Sequence, residues 1–179
     1  MRWSAEGVDR REAEAVLITG VFGSGKSSVA VEIADVLEKR NLPYAVLDLD
    51  FLAWFSTGRS EQGAEHRMML ENVVAVVGNF LAAGVRLFVL ARSIRDRSEL
   101  ESLEAAIPMP LKVVRLSLPL EEIAKRLRSD VTTARQDDLR EAPDWIAATE
   151  DEGIEDLTVS NDGPIRRVAV DIADWLGWK

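Results

Sequence analysis

The stretch GVFGSGKS at positions 20–27 matches every fixed position of the pattern G-x-x-x-x-G-K-[ST]. The five residues before it, AVLIT at positions 15–19, form a short apolar run that predicts a buried strand. After it, apolar residues recur at helical spacing, with charged residues on the opposite face. These apolar residues are Val29, Ile33, Val36 and Leu37. Strand, glycine-rich loop and amphipathic helix therefore follow in the order that the pattern requires.

The residue types in this stretch suit a phosphate group. Glycines allow successive backbone N–H groups to turn toward an anion, and a helix that begins near Lys26 adds the positive end of its dipole. The Lys26 ammonium can reach the outer phosphates, and the Ser27 hydroxyl can complete the shell of a Mg²⁺ ion. We prefer this interpretation to a turn that merely caps a helix, because all four fixed positions and both flanks agree. The expected nucleotide contacts are Gly23, Ser24, Gly25, Lys26, Ser27 and Ser28.

Composition narrows the class of protein. A chain of 179 residues can form one domain with its own core. It contains no cysteine, which excludes disulfides and thiol catalysis, and its single histidine, His66, makes a histidine-rich metal site improbable. The net charge of −9 argues against a nucleic-acid surface. No apolar run approaches the roughly 20 residues of a membrane span, and the N-terminus lacks a signal-peptide core, so we expect a cytoplasmic protein with no membrane contact.

The remaining chain alternates between predicted strands and helices. Residues 1–14 are mostly polar and are interpreted as an arm, and residues 15–179 as a single domain. Strands are predicted at 15–19, 44–47, 85–90, 111–116 and 154–159, with helices between them and a final helix from Ile165, while Phe51 to Gly63 is expected to be irregular. This alternation predicts an α/β fold of the three-layer P-loop type, with a five-stranded parallel sheet covered by helices on both faces.

Acidic residues identify the second element of a site. The motifs expected of a GTPase, Asp-x-x-Gly after a strand and Asn-Lys-x-Asp, do not occur, and the third strand runs into Ala91 and Arg92 where many ATPases have an acidic pair. Instead, Asp48 and Asp50 follow the second strand. Because strand side chains alternate, both carboxylates are expected on one face. The alternative is that two aspartates simply end a strand in a turn.

With this loop and this Asp-x-Asp, the chain resembles the small P-loop kinases of metabolites, the shikimate, gluconate and adenylylsulfate kinases of the nucleoside monophosphate kinase-like group. The resemblance implies an enzyme that uses ATP and Mg²⁺ to phosphorylate a hydroxyl of a small molecule. It also implies that Lys26 is catalytic, that Asp48 assists Ser27 at the metal, and that Asp50 orients or deprotonates the acceptor hydroxyl.

Other parts of the acceptor site are expected after the second and third strands. Trp54 and Phe55 would form an aromatic wall, or they pack inside the protein. Arg92 and Arg95 would bind an anionic acceptor, or they solvate the start of a helix. The segment 93–97 resembles part of the adenylylsulfate kinase pattern without its Pro-Tyr, yet the apolar residues that follow Asp50 argue against adenylylsulfate as the acceptor.

The charged segment at 129–143 stands where such kinases keep a lid that closes on ATP. Arg126, Arg128 and Arg135 are the candidate lid arginines, of which we expect Arg128 to contact the nucleotide and Arg135 to act at the transferring phosphoryl group. The run SNDGP at 160–164 matches the place where the backbone contacts adenine in this group.

The sequence leaves two other functions open. One is an antibiotic-modifying phosphotransferase, which uses the same chemistry. The other is a nucleotide-binding regulatory or partner-binding protein without an acceptor. The protein is expected to act as a monomer or a homodimer.

Overall fold

A computed structural model of the protein describes residues 12–58, 63–129 and 153–179. The strands in these ranges are Glu14–Thr19 (β1), Tyr44–Asp48 (β2), Leu87–Ala91 (β3), Leu111–Ser117 (β4) and Leu157–Ser160 (β5). The helices are Lys26–Lys39 (α1), Leu49–Ala53 (α2), Ala64–Ala82 (α3), Arg97–Ala106 (α4), Leu120–Ser129 (α5) and Ile165–Trp175 (α6). Most of the predicted arm and nearly all of the predicted lid lie outside the described residues.

The five strands form one parallel sheet in the order β2-β3-β1-β4-β5. The predicted α/β fold class is therefore confirmed. Because β1 lies between β3 and β4, the loop after β1 emerges in the middle of the sheet, beside the ends of both neighbours. In open parallel sheets, ligands bind at the carboxyl ends of the strands, at the point where the strand order reverses.

Alternating side chains of the strands fill two apolar layers. In β1, Leu17 packs with α3 and α4, while Val16 and Ile18 pack with α1 and α6 on the other face. The central strands β1 and β3 are buried on both sides, which explains why they read as continuous apolar runs. In the described ranges, no helix combines the length and the apolar character needed to cross a bilayer.

Two details differ from the sequence predictions. Residues after Asp48 were expected to be strand and then irregular, but Leu49–Ala53 form α2. The Asp48 carboxylate caps this helix by accepting a hydrogen bond from the backbone N–H of Asp50 at 3.1 Å. Strand alternation was therefore the wrong reason to place both carboxylates on one face, since Asp50 belongs to a helix. The third and fifth strands also begin later than predicted, at Leu87 and Leu157.

A half-buried ion pair joins β4 to the segment before β5. Arg115 Nη2 lies 2.8 Å from Glu155 Oε2. Burial alone would raise the pKa of Glu155, but the hydrogen bond from Arg115, a backbone hydrogen bond, the charge of Arg115 and a hydrogen bond from Thr158 together outweigh it, so this pKa lies below its usual value of 4.5. Such a group stabilises the folded protein above its unfolded pKa, and the contribution is lost as the pH falls through the folded pKa.

We expect Glu155→Gln to lower the free energy of unfolding at pH 7 by about 1–3 kcal/mol. Its deficit relative to the parent should shrink as the pH falls below 4.5 and through the lower pKa of the folded-state carboxylate. Urea unfolding between pH 7 and pH 3 measures this difference. Glu101→Gln, at an exposed position of α4, is the control. A deficit that is independent of pH would contradict the assigned role of the ion pair.

Candidate active site

The glycine-rich loop connects β1 to α1 in a conformation that needs glycine. Gly25 precedes the helix with φ +96°, and a Cβ atom at this position would lie 2.6 Å from Nδ2 of Asn161. Gly23 has φ +80°, and its Cβ would lie 3.0 Å from the Leu127 side chain. A side chain at either position would strain the backbone, and at Gly25 it would also approach Asn161 too closely. The backbone at the start of α1 is left open to an anion.

Two side chains from later in the chain hold the loop. The Asn161 amide, 3% exposed, donates to the Ser24 carbonyl at 2.7 Å. Arg126 of α5 donates to the Asn161 carbonyl at 2.9 Å and to the same Ser24 carbonyl at 3.5 Å. Val21 packs with Ile123 of α5 in a small apolar cluster. The loop conformation therefore depends on α5 and on the segment after β5.

We expect Asn161→Ala to lower the free energy of unfolding by about 1–3 kcal/mol, because a buried carbonyl loses its principal donor. It should also weaken Mg-ATP binding, since the loop loses the contact that orders it. Calorimetry and thermal unfolding measure the two effects. Asp162→Ala, at the exposed neighbouring position, is the control. Equal ATP affinity in the two variants would show that Asn161 does not order the loop.

Lys26 lies over the loop that it follows. Its side chain is 7% exposed, and Nζ donates to the Val21 carbonyl at 3.3 Å. The ammonium also lies 5.3 Å from the centre of the Phe22 ring, a favourable cation–π distance. These contacts place the positive charge at the loop.

The Ser27 hydroxyl donates to Oδ2 of Asp48 at 2.6 Å. The first turn of α1 and the end of β2 thus bring a hydroxyl and a carboxylate together, and Mg²⁺ prefers such hard oxygen donors. Among the described residues, no group of three or more histidine, cysteine, aspartate or glutamate side chains is placed to hold a metal. These two residues therefore fit a Mg²⁺ ion whose other ligands come from phosphates and water.

Asp50 forms an ion pair with Arg92, with Oδ1 and Nη1 separated by 3.0 Å. Arg92 follows β3, at the position where an acidic residue was missing from the sequence. Its segment is held at the glycine-rich loop, because the Ser93 hydroxyl donates to the Gly20 carbonyl at 2.9 Å and the Ile94 N–H donates to the Thr19 hydroxyl at 3.1 Å. The backbone that carries Arg92 is therefore fixed, and the Arg92 guanidinium orients the Asp50 carboxylate.

Two clefts adjoin this ion pair. The first, of about 790 Å³, contains Asp50, and the second, of about 1220 Å³, contains Arg92. Both are large enough for small ligands. The first is lined by Phe22, Gly23, Gly25, Lys26, Ser27, Ser28, Asp48, Asp50, Phe51, Trp54, Arg126, Asn161, Gly163 and Ile165. The second is lined by Phe55, Ser56, Thr57, Gly63, Ala64, Glu65, His66, Arg67, Met68, Glu71, Arg92, Arg95 and Glu99.

The clefts separate the residues that the sequence singled out. Most loop residues, both aspartates and Trp54 line the first cleft, whereas Arg92, Arg95 and Phe55 line the second. Ser24, although part of the loop, is fully buried and lines neither cleft. Arg128 is exposed and lines neither cleft, while Arg126 lines the first. Arg135 lies outside the described residues.

Sequence reasoning missed the side chains of Asn161 and Phe51. The run around Asn161 indicated a backbone contact with adenine, but the contact of its side-chain amide with a loop 137 residues away carries no sequence signal. Phe51 had a usable signal, since it precedes Trp54 by three residues and would share a helix face with it. The signal was lost because the segment was taken as irregular.

No protein-family model and no curated protein sequence matches this chain. Solved structures do match. A sugar kinase from Janibacter sp. HTCC2649 has a TM-score of 0.66 at 20% identity, covering 93% of this chain and 95% of that one. A gluconokinase from Sinorhizobium meliloti 1021 has a TM-score of 0.61 at 22% identity, with coverages of 94% and 98%.

A shikimate kinase from Acinetobacter baumannii, in complex with shikimate, has a TM-score of 0.58 at 19% identity, with coverages of 92% and 93%. The three structures belong to the group that the sequence motifs resemble. At these identities the likeness concerns the fold. The chain therefore has the fold of the P-loop small-molecule kinases.

Proposed function

We propose that the protein is an ATP-dependent phosphotransferase that moves the γ-phosphoryl group of ATP to a hydroxyl of a small molecule. The observation that carries this proposal is the first cleft, where the glycine-rich loop and an oriented carboxylate, Asp50, face the same space. A loop alone would suit any nucleotide-binding protein. The carboxylate beside it supplies what transfer to a hydroxyl needs.

The nucleotide would enter the first cleft with its phosphates at the loop. Backbone N–H groups before α1 and the Lys26 ammonium would hold the phosphates. Arg126 and Ile165 line the same cleft and offer a planar cation and an apolar surface to the base. These groups belong to α1, α5 and α6, so a bound nucleotide would contact all three helices.

Mg²⁺ fits beside the phosphates at Ser27 and Asp48. When bound, the ion would neutralise charge on the β- and γ-phosphate oxygens. The Ser27 hydroxyl would serve as a direct ligand, and the Asp48 carboxylate would hold that hydroxyl in place. Asp48 also caps α2 and so connects the metal site to the helix that carries Asp50.

In the transfer step, the acceptor oxygen attacks the γ-phosphorus and forms a new P–O bond. The bond from that phosphorus to the β,γ-bridging oxygen breaks, and ADP leaves with the electron pair. Asp50 would orient the acceptor hydroxyl and take its proton. Arg92 would act as a positioning residue, because its ion pair limits the directions that the Asp50 carboxylate can take.

Open clefts on both sides of the Asp50–Arg92 pair favour a kinase over a regulatory module, whose acceptor region would be filled. The test is ADP release from Mg-ATP in the presence of a library of sugars, hydroxy acids, aromatic alcohols and hydroxylated antibiotics. ADP release that requires a particular compound supports the proposal. If that compound is an antibiotic, the protein is an antibiotic-modifying phosphotransferase. ATP binding without acceptor-dependent release by any library member would favour the binding module.

A further inference from the structure

Two aromatic side chains lie open beside the proposed reaction centre. Phe51 is 67% exposed and Trp54 is 80% exposed, and their rings stack with centroids 6.0 Å apart and planes 26° apart. Both line the first cleft. Exposed rings of this size are informative when they adjoin a site, because burying them is worth more than burying most other side chains. The other large, exposed apolar residues of the described ranges line neither cleft: Val31, Val74, Phe80, Leu120 and Trp175.

Asp50 and Phe51 lie on the short, well-anchored helix α2, and Trp54 is the residue that ends it. Trp54 follows Asp50 by four residues and ends α2 as its C-cap residue, with its backbone N–H donating to the Phe51 carbonyl at 3.4 Å. The buried side chains of Leu49 and Ala53 fix the helix to the core. The amide of Asn72 in α3 donates to the Leu52 carbonyl at 2.8 Å. These contacts anchor the backbone that carries Asp50 and Trp54.

We propose that the acceptor carries a planar aromatic ring, which lies on Trp54 while a hydroxyl a few bonds away meets Asp50. This inference rests on the proposed phosphotransfer and specifies its substrate class. Many kinds of aromatic ring can stack on Trp54, whereas the hydrogen bond at Asp50 requires a hydroxyl on the acceptor. Trp54 thereby acts as a specificity-determining residue. The Phe51 ring supports it by stacking on it.

The charged lining of the second cleft suggests a different class of acceptor, one that is anionic. Its arginines, Arg67, Arg92 and Arg95, would favour an anionic aliphatic hydroxy acid, yet Glu65 and Glu71 line the same cleft and offset that charge. The Glu99 carboxylate also faces inward and accepts from the Arg95 backbone N–H at 3.0 Å. The mixed charge gives no net preference for an anion. The uncharged aromatic surface of the first cleft is the more selective feature.

The experiment uses the full chain with two probes, tryptophol as an aromatic alcohol and gluconate as an anionic aliphatic hydroxy acid. ADP release gives kcat and KM for each probe, and saturation-transfer NMR reports tryptophol binding to the Mg-ADP complex. Trp54→Ala is compared with Trp175→Ala, which removes a 42% exposed tryptophan at the end of α6. We expect turnover with tryptophol, a KM about 10- to 100-fold higher in Trp54→Ala, and parent-like behaviour in Trp175→Ala.

Each result decides between the two proposals. Gluconate turnover without tryptophol binding overturns the aromatic acceptor and keeps the phosphotransferase. Tryptophol binding that is lost in Trp54→Ala, without ADP release for any probe or library compound, keeps the aromatic site and overturns the phosphotransferase. Tryptophol binding or turnover that is equal in the parent and Trp54→Ala overturns the inference, because the ring would then lie elsewhere. Thermal unfolding of both variants confirms that each remains folded.

Discussion

Replacing Asp50 by asparagine should lower acceptor-dependent turnover by about 10²- to 10⁴-fold, the usual contribution of a positioned general base. Asparagine has nearly the same shape and its carbonyl can still accept from Arg92, so α2 and the ion-pair geometry should persist. It cannot take a proton from the acceptor hydroxyl. Affinity for Mg-ATP should change little, because the glycine-rich loop and Lys26 remain intact. Steady-state ADP release and calorimetry separate the two effects.

Asp171→Asn is the matched control for this experiment. Its side chain lies on α6, 62% exposed and outside both clefts. We expect its turnover to equal that of the parent. Asp50→Asn turnover within a few-fold of the parent would remove the base role and leave Asp50 as a residue that positions the acceptor. Equal loss of turnover and ATP affinity would instead point to a damaged nucleotide site.

Lys26→Ala should weaken Mg-ATP binding by about 10- to 150-fold, the equivalent of one hydrogen bond to a charged group. The Lys26 ammonium is the charge that the cleft presents at the loop, where it contacts Val21 and Phe22. Alanine retains helix propensity at the start of α1, so the fold should persist. Calorimetric titration with Mg-ATP measures the change. Circular dichroism verifies that the variant is folded.

Lys39→Ala controls for the loss of a positive charge from the same helix. Its ammonium is 61% exposed and pairs with Asp35, away from both clefts. Surface ion pairs of this kind contribute at most about 1 kcal/mol to stability and should not affect the nucleotide. Unchanged ATP affinity in a folded Lys26→Ala variant would refute the assignment of the loop as a nucleotide site. The proposed phosphotransfer would then fail as well.

The sequence determined most of the fold and predicted the glycine-rich half of the candidate site. Both depend on local patterns: apolar periodicity specifies strands and helices, and the spacing from Gly20 to Ser27 specifies a loop whose glycines need positive φ. Asp48 and Asp50 were also visible, because acidic residues after a strand are a local signal. Their immediate geometry was not, since the helix formed by Leu49–Ala53 is too short to show a period.

The tertiary structure decided which distant side chains meet. Asn161 holds the loop at Ser24 through contact across 137 positions, and Arg92 orients Asp50 across 42 positions. Such contacts follow from the strand order, which brings the ends of β1, β2, β3 and β5 to one edge of the sheet. At the same edge, Trp54 lines the first cleft and Phe55 lines the second, although the two residues are adjacent in sequence. Local sequence specifies the conformation of each segment, whereas contacts between segments depend on the packing of the whole chain.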